Sequence, residues 1–210
     1  MKSNRVCYKS MLLLVACFCF CFHSIAQSGE VKLLDRINPE RPTSDLWKGV
    51  TNSVYPVTVL TPVSLLTAGY LKKDKELQKK GWMAVGSIVT NVVVTQGLKM
   101  ITARERPYNK YPELINNYHF ETDSSFPSGH TSNAFATATT LSISFKKWYV
   151  IAPAYLWAAG TAYSRLYLGQ HYPTDVLAGA AVGVGSAFLS HWLTEKFFYR
   201  KKNKLPSLAG

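Results

Sequence analysis

The stretch YSRLYLGQHYPTD, residues 163–175, places an arginine, a histidine and an aspartate between two apolar segments of the chain. Ionisable groups at an apolar boundary cost free energy unless they are paired. Arg165, His171 and Asp175 are therefore expected to pair with one another or with a bound group. The stretch is predicted to join two helices, and its ionisable residues serve either structure or chemistry.

Five uncharged segments dominate the chain around this junction, at about 49–71, 81–98, 131–145, 148–164 and 176–194. A helix needs about 20 apolar residues to cross a hydrocarbon core about 30 Å thick. The first, second and fifth segments have that length, and all five are rich in small residues, which let membrane helices pack closely. We expect an all-α fold, a membrane helical bundle with about five transmembrane helices after a signal peptide. The mean hydropathy of −0.02 leaves a soluble helical bundle as the alternative.

The first 26 residues have the composition of a signal peptide. Basic residues precede the apolar run MLLLVACFCFCF, and Ser24-Ile25-Ala26 supplies small residues at the cleavage positions. An uncleaved membrane anchor and a lipoprotein signal ending at Cys17 are the alternatives. The polar stretch 27–48 that follows is predicted to be a periplasmic lead-in with little chemistry of its own.

All four cysteines lie inside that first segment, at Cys7, Cys17, Cys19 and Cys21. A chain cleaved after residue 26 would contain none. The sequence therefore predicts neither a disulfide framework nor a cysteine metal site in the mature protein.

The formal net charge is +12, from 24 Lys and Arg against 12 Asp and Glu. A basic excess suggests nucleic acid, a membrane surface or an anionic substrate as partner. Nucleic acid is disfavoured because the basic residues form short runs between long uncharged segments, without interleaved aromatics. If residue 27 lies outside, the lysine-rich segments 72–80, 146–147 and 195–210 lie inside, which is the positive-inside pattern. We expect a multi-pass protein of the bacterial inner membrane.

The remaining unusual residues then fall at the outer, periplasmic ends of the spans. Lys99 lies at the outer end of the second span, and Arg106-Pro107 follow it. FPSGHTS, residues 126–132, opens the third span, and the stretch 163–175 joins the fourth to the fifth. One face of the bundle is therefore expected to hold the site.

Three motifs on this face, K-x6-R-P at 99–107, PSGH at 127–130 and S-R-x5-H-x3-D at 164–175, carry a family resemblance. In order and internal spacing the chain resembles the type 2 phosphatidic acid phosphatase and vanadium haloperoxidase superfamily, over roughly 45 to 195. The resemblance implies a phosphohistidine intermediate on His171 that water later hydrolyses. The domain organisation expected is a signal peptide at 1–26, a periplasmic lead-in at 27–48, a membrane-embedded acid phosphatase domain at 49–195 and a basic cytoplasmic tail at 196–210.

The motif residues include the groups that a phosphate dianion requires. Lys99, Arg106 and Arg165 supply positive charge, and guanidinium groups suit phosphate oxygens. Ser128 and Gly129 precede a helix, whose first N–H groups and dipole favour an anion, and Ser128 can also cap that helix. These five residues are the predicted phosphate-binding set.

Two histidines and an aspartate are the predicted catalytic residues. Asp175 lies four residues after His171, an offset at which its carboxylate can accept the Nδ1 proton and leave Nε2 free to attack phosphorus. His130 is then the acid that protonates the leaving alcohol. No metal or other cofactor is required, because the three basic side chains neutralise the phosphate. Both limbs of a bell-shaped pH profile are expected near the usual imidazole pKa of about 6.5.

Other polar residues near the motifs are expected to take no part in catalysis. Arg104 and Lys110 are interpreted as surface charge, His119 as a solvated loop residue and His191 as a residue of the inner interface. Residues 131–133 are expected to pack inside the third helix.

The function predicted is a metal-independent phosphatase acting on a membrane lipid phosphate or diphosphate at the periplasmic face. Candidate substrates are lipid A phosphate, undecaprenyl diphosphate, phosphatidylglycerol phosphate and phosphatidic acid. The alternatives are a soluble periplasmic acid phosphatase, a vanadate-dependent haloperoxidase and a non-catalytic lipid-phosphate binder or transporter. The expected partners are the membrane and the lipid substrate.

Overall fold

The structure is a computed structural model and describes residues 29–202, with side chains through residue 197. The predicted signal peptide at 1–26 and residues 203–210 of the basic tail lie outside the described residues. Within 29–202 the chain forms helices only, which confirms the all-α prediction. They are α1 (29–37), α2 (Asp45–Asn52), α3 (Val54–Leu71), α4 (Lys75–Thr102), α5 (Pro107–Lys110), α6 (Gly129–Phe145), α7 (Trp148–Tyr167) and α8 (Pro173–Lys202).

The five uncharged segments correspond to the five long helices α3, α4, α6, α7 and α8. Among the described residues, three helical segments are long and apolar enough to cross a membrane, Asp45–Leu71, Lys75–Lys110 and Pro173–Phe197. The bundle therefore has the helix length and apolar composition of a membrane protein. The crossing of the bilayer by α6 and α7, with 17 and 20 residues, stays a prediction.

Helix α6 lies at the centre of the bundle and packs against α3, α4, α7 and α8. Small side chains make this possible, since Ala134, Ala136 and Ala138 are fully buried. Gly183 of α8 meets the backbone of α6 so closely that a Cβ atom there would lie 2.3 Å from the carbonyl oxygen of Ser132. The close approach brings the start of α8 beside the start of α6.

Several helix ends meet on one side of this bundle. They are the C-terminal ends of α4 and α7, the N-terminal ends of α6 and α8, and the short helix α5. Ser128 caps α6 by accepting a hydrogen bond from the N–H of Thr131, at 3.4 Å, and the N–H of Ser128 donates to the carbonyl of Asp175, at 3.0 Å. The three sequence motifs are thereby brought to the same end of the bundle, as the sequence predicts.

The lead-in also reaches this end. In α1, Val31 and Leu34 are buried in an apolar cluster with Tyr108, Ile115 and Tyr172. The side chain of Asn38 donates to the carbonyls of Asn116 and Tyr167, both at 2.9 Å. The lead-in is therefore part of the packed structure around the motifs.

Candidate active site

A cavity of about 270 Å³ opens where the three motifs meet. Lys99, Gly129, His130 and His171 all form part of its wall, so residues from each motif face one space. The two imidazoles proposed for catalysis therefore line the same cavity. His130 also packs edge-on against Tyr55 of α3, with ring centroids 4.9 Å apart.

Three cations lie buried in the part of the structure that surrounds and backs this cavity, and we call Lys99, Arg106 and Arg165 the cationic cup. Nη1 of Arg106 lies 3.4 Å from Nε2 of His171 and donates to the carbonyl of Gln170 at 3.0 Å. Nη1 of Arg165 donates to the hydroxyl of Thr51 at 3.0 Å. The cup therefore adjoins the nitrogen expected to attack phosphorus.

Two carboxylates that sequence reasoning missed occupy the cup. The two oxygens of Glu121 lie 2.5 Å from Nη2 of Arg165 and 2.5 Å from Nη2 of Arg106. Asp123 pairs with Arg106 through one oxygen and lies 3.0 Å from Nζ of Lys99 through the other. The only sequence signal was a pair of acidic residues, in ETD, between the first and second motifs.

The electrostatics of these carboxylates follow from their cationic neighbours. Burial by itself raises the pKa of Glu121, but the charges of Arg165 and Arg106 outweigh it and lower the pKa to about 2. Burial also raises the pKa of Asp123. Hydrogen bonds from Lys99 and Arg106 act in the opposite direction and are stronger, so the pKa lies below its usual value. Both groups are therefore anionic at neutral pH.

His171 is fully enclosed, and its partners differ from those expected. Its Nδ1 lies 2.8 Å from the carbonyl oxygen of Ser125, whereas the nearer oxygen of Asp175 is 3.7 Å away. The prediction of a direct hydrogen bond from His171 to Asp175 is therefore wrong in this structure, because the backbone at Ser125 takes that place. A carbonyl can only accept, so Nδ1 carries the proton and Nε2 presents its lone pair. Burial first, and then the charges of Arg165 and Arg106, hold the pKa of His171 well below its usual value.

Asp175 is instead the partner of Arg104. Nη1 of Arg104 lies 2.5 Å from Asp175 and 2.8 Å from the hydroxyl of Thr174, and Nη2 pairs with Glu30 of α1. The guanidinium also covers the ring of Tyr172, 4.0 Å from its centroid. The interpretation of Arg104 as surface charge is wrong, because its side chain joins Asp175 to Glu30 of the lead-in. The contacts are 70 to 74 residues apart in sequence, which is why no local pattern indicated them.

Ser128 and Gly129 have different surroundings. The hydroxyl of Ser128 lies 3.0 Å from that of Thr131, in keeping with its predicted role as helix cap, while Gly129 contributes to the cavity wall. Ser132 and Asn133 are buried, and Nδ2 of Asn91 donates to both, at 3.2 and 2.8 Å. Residues 131–133 thus pack as expected.

The remaining off-motif residues lie away from the cavity, and the placement of His191 at an inner membrane interface stays a prediction. Lys110 and His119 are exposed. His191 lies on α8 beside Glu195, with Nδ1 3.9 Å from its carboxylate, toward the opposite end of the bundle. Among the side chains that the structure describes, no group of three or more His, Cys, Asp or Glu is placed to hold a metal ion.

Comparison with known proteins points to one family. The PAP2 superfamily model matches residues 80–199, which is more than half of the chain. The chain is 38% identical over 81 residues to a lipid A 4'-phosphatase of Bacteroides thetaiotaomicron, covering 39% of this chain and 36% of that protein. It is 37% identical over 120 residues to an undecaprenyl-diphosphatase of Sulfolobus acidocaldarius, covering 55% of this chain and 56% of that protein.

A solved structure extends the similarity to most of the bundle. The crystal structure of Aquifex aeolicus LpxE superposes with a TM-score of 0.61 at 27% identity, covering 77% of this chain and 93% of that one. The two curated relatives, by contrast, are matched over only 36% and 56% of their own length.

Proposed function

This chain belongs to the PAP2 superfamily, and we propose that it is a membrane lipid phosphatase that uses a histidine nucleophile. The observation that carries the proposal is that His130 and His171 line one cavity beside the cationic cup. A binding protein or transporter would need the cations alone, so the paired imidazoles favour catalysis.

The chemistry proposed has two steps. Nε2 of His171 attacks phosphorus, a nitrogen–phosphorus bond forms, and the bond from phosphorus to the leaving oxygen breaks as His130 gives that oxygen a proton. In the second step an oxygen–phosphorus bond forms between water and the phosphohistidine as the nitrogen–phosphorus bond breaks. His130 takes a proton from the water, and inorganic phosphate leaves with His171 restored. The cationic cup stabilises the charge on the equatorial oxygens in both steps, which is why no metal is included in the proposal.

The substrate class proposed is a lipid phosphate or diphosphate in the outer leaflet of the inner membrane. Two things support it: the motifs lie at helix ends, where a headgroup would lie, and the relatives named above are phosphatases of lipid A and of undecaprenyl diphosphate. We favour lipid A phosphate or undecaprenyl diphosphate over the phosphoglycerolipids.

Phosphate release by the detergent-purified full chain, with EDTA present, tests the proposal. A panel of lipid A, undecaprenyl diphosphate, phosphatidylglycerol phosphate and phosphatidic acid should show turnover of at least one lipid. The His171→Ala variant should lose activity, while His191→Ala, a histidine away from the cavity, should retain it. Equal turnover by the His171 variant would remove it as nucleophile, and loss of activity with EDTA would contradict the metal-free chemistry.

A further inference from the structure

The cationic cup is already filled by the protein's own carboxylates. Glu121 bridges Arg165 and Arg106 with one oxygen on each, and Asp123 bridges Arg106 and Lys99 in the same way. Glu121, Asp123 and Lys99 form part of the cavity wall, whereas neither guanidinium does. In this cavity the two carboxylates, rather than the guanidinium groups that they pair with, therefore face the space into which a substrate phosphate would come; Arg106 lines an adjoining cavity together with both carboxylates.

We infer that Glu121 and Asp123 set the anion affinity of this site: they occupy the cationic cup in the resting state and must be displaced by phosphate. The inference rests on the proposed function, since it assigns a role to these residues in the same site. Because they return to the cup as inorganic phosphate leaves, they also limit inhibition by the product.

The charges of the two occupants match. Two carboxylates carry two negative charges, and a phosphate monoester carries close to two at neutral pH. The three positive charges of the cup and the two negative charges of either occupant add up to a net charge of about +1 in the site. The exchange therefore leaves the net charge of the buried cup unchanged, so at no point are all three buried cations without an anionic partner, a state that would be costly.

The geometry of the two occupants also matches. A carboxylate bridging two guanidinium groups makes the charge-assisted contacts that two phosphate oxygens would make. Nη2 of Arg106 serves both carboxylates, and Nη2 of Arg165 serves Glu121. Phosphate oxygens cannot take these N–H groups until the carboxylates leave them.

Departure of the carboxylates needs no rearrangement of the fold. The backbone around Glu121 is held by Tyr108, whose hydroxyl accepts from the N–H of Glu121 at 2.9 Å and donates to its carbonyl at 3.2 Å. The side chains are freer, with Asp123 50% and Glu121 20% exposed. Rotation of the two side chains toward solvent is sufficient to open the cup.

Isothermal titration calorimetry with inorganic phosphate at pH 8 tests the inference on the full chain in detergent. We expect Glu121→Gln and Asp123→Asn each to bind phosphate about tenfold more tightly than the parent protein, because a neutral amide competes less well for the cations. The matched control is Glu113→Gln, which makes the same charge change at an exposed position of the same loop and should leave the affinity unchanged. Unchanged or weaker binding by both cup variants overturns the inference.

A measurement on the unaltered protein covers the case in which those variants fail to fold. Carbodiimide coupling of glycine ethyl ester, mapped by mass spectrometry, reports which carboxylates are accessible. Saturating phosphate should increase labelling of Glu121 and Asp123 relative to Glu113, because displacement releases them to solvent. Unchanged or reduced labelling overturns the inference.

The binding experiments also separate this inference from the proposed function, because they require no turnover. Tighter phosphate binding by the cup variants, together with no hydrolysis of any lipid by the parent protein, removes the proposed function alone. Hydrolysis by the parent protein with no gain in phosphate affinity removes the inference alone.

Discussion

Asp175 and His171 are joined through Ser125 rather than directly. The carbonyl of Ser125 lies 2.8 Å from Nδ1 of His171, and its hydroxyl donates to Asp175 at 2.6 Å. Asp175 also accepts from the N–H of Tyr172 at 3.0 Å. The aspartate therefore orders the two backbone segments that enclose the imidazole, and its influence on the ring is indirect.

This arrangement predicts a graded response to substitution. Asp175→Asn should lower kcat by less than the roughly 10⁴-fold loss seen when a carboxylate contacts the catalytic imidazole directly. Ser125→Ala should cost less still, because the carbonyl that holds Nδ1 is retained. Steady-state kinetics with one lipid substrate check both variants, with the loss expected in kcat rather than KM. A Ser125→Ala loss larger than that of Asp175→Asn contradicts the arrangement.

Glu30 is predicted to stabilise the site from the lead-in. It is buried, and its carboxylate pairs with Arg104 and accepts from the hydroxyl of Thr174 at 2.5 Å. Glu30→Gln should lower the unfolding temperature in detergent by about 3–6 °C, the effect of losing one hydrogen bond to a charged group in a chain of this size. Glu40→Gln, at an exposed position, is the matched control. Equal unfolding temperatures for the two variants would show that the α1 contact contributes nothing.

Features of this structure that follow from local sequence patterns, such as helices and the motifs at their ends, could be predicted from the sequence, whereas contacts made by loop residues could not. The uncharged segments predict the helices and the three motifs lie at helix ends, so helix length and the lysine-rich loops were enough to place Lys99, His130 and His171 on one face. Glu121 and Asp123 lie between α5 and α6 in a segment without helical or strand periodicity, and nothing local indicates which cation such a residue meets.

The pairing of Arg104 with Glu30 is a second contact that no local sequence pattern indicates. Arg104 lies two residues before Arg106, yet one joins the network of Asp175 and the other the cationic cup. The partners of these two arginines lie far from them in the sequence. For Glu30, an acidic residue in a polar stretch, nothing in the sequence indicates that its side chain is buried. Long-range charge pairing of this kind follows from the packing of the bundle.

The contact between α6 and α8 predicts a sharp difference between two neighbouring glycines. A Cβ at Gly183 would lie 2.3 Å from the carbonyl oxygen of Ser132 and 2.8 Å from the N–H nitrogen of Ala136, whereas a Cβ at Gly185 meets nothing within 4 Å. Gly183→Ala should therefore push the helices apart and lower both unfolding temperature and activity, because overpacking costs about 1–3 kcal/mol. Gly185→Ala should leave both unchanged or raise stability slightly. Thermal unfolding and phosphate release measured on the pair check this, and equal effects would contradict the close packing.

The ionisation of His171 predicts a departure from the pH profile expected from sequence. Burial and two guanidinium charges hold its pKa well below its usual value, so the free imidazole stays neutral as the pH falls through 6.5. The acidic limb of activity should then not come from His171 near pH 6.5, which corrects the sequence-based expectation. Nitrogen-15 NMR of histidine-labelled protein, assigned with His171→Gln, should show no titration of this residue near pH 6.5. A titration midpoint at or above that value would mean that the ring is more hydrated than the structure shows.

The orientation proposed for the bundle predicts opposite accessibility for two exposed loop positions. Glu113 lies in the loop that also carries Glu121, on the side proposed to face the periplasm, and Lys147 lies between α6 and α7 on the lysine-rich side. Because short loops rich in Lys and Arg remain in the cytoplasm, Glu113→Cys should react with a membrane-impermeant maleimide in intact cells and Lys147→Cys only after the inner membrane is opened. The parent protein gives the background, since its own cysteines all lie between residues 7 and 21. Labelling of Lys147→Cys alone in intact cells would reverse the orientation and place the cavity, with any substrate it takes, on the cytoplasmic leaflet.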